Sequence, residues 1–143
     1  MERFDPDGTA ILPDYPRSPL HAVFVGVMRL KLEARGLQLI RQATRSIRRH
    51  DVHELILTDE AAAPGRAVDA VAYLGFVEFL SGGIMAVGDE VRSESILVGD
   101  IGGFDDTHMP NHQNILVRGP RRLSGAELGI RLGQRVDFLP RVP

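Results

Sequence analysis

The chain has 143 residues, 43% of them hydrophobic, with 15 Gly, 9 Pro, no Cys and no Trp. That is enough for one domain with a substantial core, and the lack of cysteine excludes disulfides, thiolate ligands and a thiol nucleophile. The net charge of −2 hides blocks: residues 29–50 sum to +6, 51–110 to −10 and 111–143 to +4.

Several function classes drop out at once. No apolar run approaches the roughly 20 residues that a membrane span needs. The N-terminus, with Glu2, Asp5, Asp7 and prolines at 6, 13 and 16, does not read as a signal peptide. A soluble, cytoplasmic protein is therefore the expectation. The basic block has a single lysine and no interleaved aromatics, which argues against nucleic acid and for contact with the chain's own acidic middle or a neighbouring subunit.

Residues 1–19 read as an irregular arm, because four prolines interrupt regular pairing. Residues 20–143 then form one domain. Val23, Val25 and Val27 alternate with Ala22, Phe24 and Gly26, which is strand periodicity, and a change of parity places a bulge near Gly26 to Met28. Leu37, Ile40, Thr44 and Ile47 fall at helical spacing opposite Arg41, Arg45, Arg48 and Arg49, so the spacing predicts an amphipathic helix over about 37–49.

Val52 to Leu57 predicts a short strand, and Pro64-Gly65 a turn. Val68 to Leu80 is the clearest strand, apolar on both faces: Val71, Tyr73, Gly75, Val77 and Phe79 on one, and Ala72, Leu74, Phe76, Glu78 and Leu80 on the other. Ser81-Gly82-Gly83 predicts a hairpin turn into Ile84 to Val87. Gly88-Asp89-Glu90-Val91 and Gly133-Gln134-Arg135-Val136 repeat one pattern, a glycine that bends the backbone and a valine that resumes the core. Ile96 to Ile101, Gln113 to Arg118 and Val136 to Leu139 complete about seven strands. The predicted fold is mainly β, bordering on α+β: a small closed or partly open β-barrel with one helix packed on it.

The run from Gly103 to Asn114 carries two carboxylates, two imidazoles, two Asn amides, a Gln and a Thr hydroxyl around Pro110. Such density between two apolar strands points to a site. His108 and His112 have the i,i+4 spacing of a helical ligand pair, but Pro110 makes a turn the means of convergence. With Asp105 they are a candidate first shell for one divalent ion, Zn, Fe or Mn, bound through N and O donors. A catalytic or substrate-anchoring role without metal, and a purely structural one, stay open beside it.

Glu78, between Phe76 and Leu80, is a candidate acid or base if buried, with Asp106 and His108 as further catalytic candidates. On the strand after the turn, His112 and Asn114 face one way while Gln113, Ile115 and Val117 face the core. Asn114, Asn111 and Thr107 are candidate substrate-binding residues, and Asp105 and Thr107 can equally brace the turn through local backbone bonds.

Val71-Ala72-Tyr73-Leu74-Gly75-Phe76, Gly88-Asp89-Glu90-Val91 and Gly103 to Ile115 together resemble a family of small bacterial single-domain proteins of unknown function carrying a GFDxTHMPNHxN-type motif. The resemblance spans most of the chain and implies no reaction, cofactor or substrate.

The residues therefore predict an enzyme acting on a small polar metabolite at a barrel mouth, as a metal-dependent lyase, isomerase or hydrolase. The alternative is a non-catalytic ligand-binding or assembly protein. The near-apolar strand at 71–80 and the alternating charge blocks also predict a homo-oligomer.

Overall fold

The computed structural model describes residues 15–141. Residues 1–14 of the predicted arm lie outside that range, and 15–19 carry no regular element. Twelve strands follow: β1 (Leu20–Val27), β2 (Lys31–Leu32), β3 (Leu37–Gln38), β4 (Thr44–Ile47), β5 (Val52–Thr58), β6 (Ala67–Val68), β7 (Val71–Phe79), β8 (Gly83–Ala86), β9 (Glu90–Ser93), β10 (Ile96–Asp105), β11 (Asn114–Arg118) and β12 (Arg135–Leu139). Seven of them close into a ring in the order β1-β12-β9-β10-β11-β5-β7 and back to β1.

Alternation explains the ring. Leu20, Ala22 and Phe24 of β1, Leu55 and Leu57 of β5, and Ile115 and Val117 of β11 all point inward into one buried cluster. Val98, Ile101 and Phe104 of β10 and Val136 and Phe138 of β12 complete it, so the interior is a packed core. Ala43, Ile47, Met85 and Val87, from β4, β8 and their flanks, belong to the same cluster. A second cluster lies on the outside of β5, β7 and β11, where Ile56, Val71, Tyr73 and Leu116 meet Leu37, Leu39, Ala62 and Val68.

The predicted helix over 37–49 is not formed, and no helix occurs among the described residues. Leu37 and Leu39 are buried while Gln38 is exposed, a period of two that competes with the helical spacing. Distant partners take the backbone groups a helix would use: β3 pairs with β6, β4 pairs with β8, and the Ile40 N–H donates to the Phe104 carbonyl at 2.9 Å. β-branched Ile40, Thr44 and Ile47 weaken the helical alternative further. The predicted hairpin after β7 is likewise replaced, since β8 pairs with β4.

The face assignment along β7 is corrected too. Register with β5 steps from Leu55 opposite Gly75 to Ile56 opposite Tyr73, which leaves Leu74 as an extra residue. Val71 and Tyr73 therefore fall outside the ring, whereas Val77 and Phe79 fall inside. Gly75 permits the bulge: its φ is +146°, and a Cβ there would sit 2.0 Å from the Gly26 carbonyl oxygen. The two predicted glycine bends are present, with φ of +94° at Gly88 and +83° at Gly133, just before β9 and β12.

Candidate functional site

Strand register assembles a row of side chains on the outer face of the ring. Asp105 of β10 lies opposite Asn114 of β11, Asn114 lies opposite Glu54 of β5, and Glu54 lies opposite Phe76 of β7. The Asn114–Glu54 contact depends on β5 and β11 running parallel. Residues directly opposite one another share a face, so two carboxyls, an amide and an aromatic ring meet on one side. His112, two residues before Asn114, joins that side: its ring meets Phe76 edge-on at 5.1 Å between centroids.

The turn between β10 and β11 brings His108 in. The N–H groups of Asn111 and His112 both donate to the His108 carbonyl, and the two imidazoles lie 5.1 Å apart at 31°. The i,i+4 pair thus converges through a turn, as Pro110 requires. The Met109–Pro110 peptide bond is cis.

Hydrogen bonds separate the occupied groups from the open ones. Asp105 accepts from the Thr107 N–H at 2.9 Å and from the Asn114 amide at 3.0 Å, so it braces the turn. Glu54 is only 6% exposed, and its Oε1 lies 3.8 Å from Nε2 of His112, too long for a hydrogen bond. Nε2 of His112 and Oδ1 of Asn114 are buried without a hydrogen-bond partner. Native structures leave few such atoms unmatched.

Burial shifts the titration of this pair in opposite directions. Desolvation raises the Glu54 carboxyl above the usual carboxylate range, partly offset by the Arg35 guanidinium. Arg35 is itself anchored by Nε to the Tyr73 hydroxyl at 2.9 Å. His112 is held below 6.5, first by burial and then by the neighbouring His108 and His53, with the Asn114 side chain acting in the opposite sense. Both shifts are in the direction that favours the uncharged forms.

The other side of the same turn lines a cleft of about 730 Å³ with β4 and residues 51–53. Asp106 belongs here, away from the outer row: it accepts from the Arg45 guanidinium at 2.9 and 3.0 Å and from the buried Gln113 amide. Gln113 also donates to the Asp105 carbonyl at 2.7 Å. His53 is fixed at both nitrogens. Its Nδ1 accepts from the Gln113 N–H at 2.9 Å, which leaves Nε2 to carry the proton toward Asp51 at 3.3 Å. Burial holds His53 below its ordinary value, with Asp51 opposing.

Glu78 points outward, half-buried, and meets Nδ1 of His50 at 3.0 Å. It stands two residues along β7 from Phe76, on the same outer face. Among the described residues no three His, Asp or Glu side chains gather as a metal-ligand group. Glu54 was not among the residues singled out from the sequence. The available signal was a carboxylate inside the apolar run Val52 to Leu57, the same pattern that marked Glu78. A further cleft of about 650 Å³, more apolar, adjoins the Arg118–Asp100 ion pair and holds no comparable acid–base pair.

No helix among the described residues is long and apolar enough to cross a membrane. No curated protein and no solved structure matches the chain. A family of unknown function, DUF6917, matches residues 14–139, and the chain belongs to that family.

Proposed function

We propose that the protein is an enzyme that moves a proton on a small polar metabolite, as a lyase or isomerase does, with Glu54 and His112 as its acid–base pair. The seven-strand ring serves as a small barrel scaffold, and the reacting groups sit on its outer wall beside the 105–114 turn. One observation carries the reading: a buried carboxyl and a buried imidazole nitrogen face each other at 3.8 Å, with Nε2 of His112 unpartnered. Burial moves Glu54 toward holding its proton and His112 toward the neutral imidazole, the directions an acid and a base at this site need. Asn114 Oδ1 supplies an acceptor that orients the substrate, Phe76 supplies an apolar wall, and exposed His108 relays the proton to water.

Deuterium exchange tests this reading. Small carbon acids, including hydroxy acids, keto acids and sugars, are incubated with the protein in D2O and examined by proton NMR. The expected result is deuterium incorporation at one position of one compound class, lost in Glu54→Gln and His112→Gln. Incorporation that survives both substitutions would refute the assignment.

A second reading keeps a divalent ion, Zn, Fe or Mn, on His108 and His112 alone, since no third His, Asp or Glu among the described residues gathers with them and Asp105 is committed to the turn. The unpartnered His112 nitrogen beside a second imidazole favours it. Elemental analysis of protein purified without chelator distinguishes the two: about one ion per chain, lost in His112→Ala, supports the metal reading.

A further inference from the structure

The cleft on the opposite side of the turn lacks a free acid–base pair, but it has donors to spare. Its size, about 730 Å³, suits a small metabolite. Its formal charges are Arg45, Arg48, Asp51 and Asp106, with His53 held neutral between its two partners. These balance in number, but the carboxylates and the guanidiniums differ in what remains open.

Asp106 accepts from Arg45 through both oxygens and from Gln113 through one. Asp51 accepts the Arg48 backbone N–H at 2.9 Å and faces the His53 ring at 3.3 Å. The cations are less committed. Arg45 Nε is buried with no hydrogen-bond partner, although its terminal nitrogen is paired. The Arg48 side chain is 89% exposed, and the carboxylate oxygen it faces, Asp51 Oδ1, lies 3.8 Å from Nε, beyond hydrogen-bond range. Both Asp51 hydrogen bonds go to Oδ2, which leaves Oδ1 open. An incoming acceptor therefore finds the Arg48 donors open and Arg45 Nε unpartnered just beneath the surface, against that single open carboxylate oxygen.

We propose that this cleft binds the oxyanion group, carboxylate or phosphate, of a small metabolite, held by Arg45 Nε and the Arg48 guanidinium. Asn111, which also lines the cleft, contributes a neutral amide to the rest of the ligand. Charge-assisted hydrogen bonds of this kind are the stronger ones, and the planar guanidinium matches an oxyanion in geometry. The site lies across the turn from Glu54 and His112 and does not rest on their assignment.

The full-length chain, labelled with nitrogen-15, is titrated separately with inorganic phosphate and with acetate. Backbone amides and arginine Nε–H resonances are followed by NMR. Saturable shifts confined to residues 44–53 and 106–113, including Arg45 Nε–H, are expected with at least one of the two anions. Saturation by phosphate alone identifies a phosphate-bearing ligand class, and saturation by acetate alone a carboxylate-bearing one.

Arg48→Gln should weaken that binding about tenfold, the loss of one charge-assisted hydrogen bond. Because Arg48 is exposed, its replacement leaves the fold intact. Arg45→Lys keeps the charge but removes Nε–H and should weaken binding at least as much. Linear shifts spread over all surface arginines, or equal affinity in Arg48→Gln, would overturn the site. Glu54→Gln should bind the anion as the native chain does, so failure here and failure of the acid–base reading are read separately.

Discussion

The two sides of the 105–114 turn carry similar residue types and use them in opposite ways. On the cleft side, Asp106, Gln113 and His53 each have two or more partners, and Gln113 ties the turn to the end of β10. On the outer side, Glu54, His112 Nε2 and Asn114 Oδ1 are buried yet incompletely matched. Satisfied polar groups hold a fold, while unmatched ones mark chemistry, because a structure retains their desolvation penalty only where something offsets it. Substituting the matched groups Asp106, Gln113 or His53 should therefore reduce stability, and substituting the unmatched outer groups should reduce turnover.

The largest expected effect lies on the outer side. Glu54→Gln and His112→Gln should each lower proton transfer by about 10²–10⁴-fold, the usual contribution of a positioned acid or base. Steady-state kinetics on the compound class found by deuterium exchange would show it. The same Glu54→Gln protein should be at least as stable as the native chain at pH 8, because it removes a buried ionisable group. A large loss of stability would instead make Glu54 structural.

Next comes the scaffold that carries the row. Gly75→Ala sets a methyl against the Gly26 carbonyl, and neither backbone can give way cheaply. It should cost about 3 kcal/mol in urea unfolding and displace Phe76 from Glu54. A neutral outcome would show that the bulge does not fix the row.

On the cleft side, Gln113→Ala removes donors from both the Asp105 carbonyl and the Asp106 carboxylate. Asp106 keeps its Arg45 bonds, so the cost comes from the buried Asp105 carbonyl and should be about 1–3 kcal/mol, with turnover per folded molecule retained. Loss of turnover at unchanged stability would reverse the comparison.

The smallest effect is on the pH dependence of stability. His112 and His53 sit below 6.5 in the folded chain, so between those lowered values and 6.5 the unfolded chain binds more protons. Their contribution is complete above pH 6.5 and is lost as pH falls. Glu54, raised in the folded chain, has the opposite sign: as pH falls through its folded value, the folded state gains the proton and stability. Urea midpoints below pH 6.5 should therefore fall less steeply in His112→Gln and more steeply in Glu54→Gln than in the native chain.

Local pattern revealed the strands and the turn but not the neighbours. Alternation located β1, β5, β7, β10, β11 and β12, and the Gly88 and Gly133 bends were visible as glycines before valines. The 37–49 segment misled because Leu37, Ile40, Thr44 and Ile47 satisfy a helical period while Leu37 and Leu39 satisfy a strand period. Contacts with β6, β8 and Phe104, far away in sequence, decide between them. Glu54 and Glu78 looked alike, each a carboxylate in an apolar strand. What separates them is register: the parallel β5–β11 pairing sets Glu54 beside Asn114, and Glu78 meets His50 at the outer surface. Nothing within Val52 to Leu57 encodes that pairing.

The most direct test is a site-resolved NMR titration of the native chain, following the Glu54 side-chain carboxyl carbon and the His112 ring. Unpaired, desolvated groups should titrate apart from their ordinary values in the directions burial dictates, Glu54 upward and His112 below 6.5. A depressed Glu54 together with a raised His112 would reveal a charged ion pair, and that result would contradict the acid–base assignment.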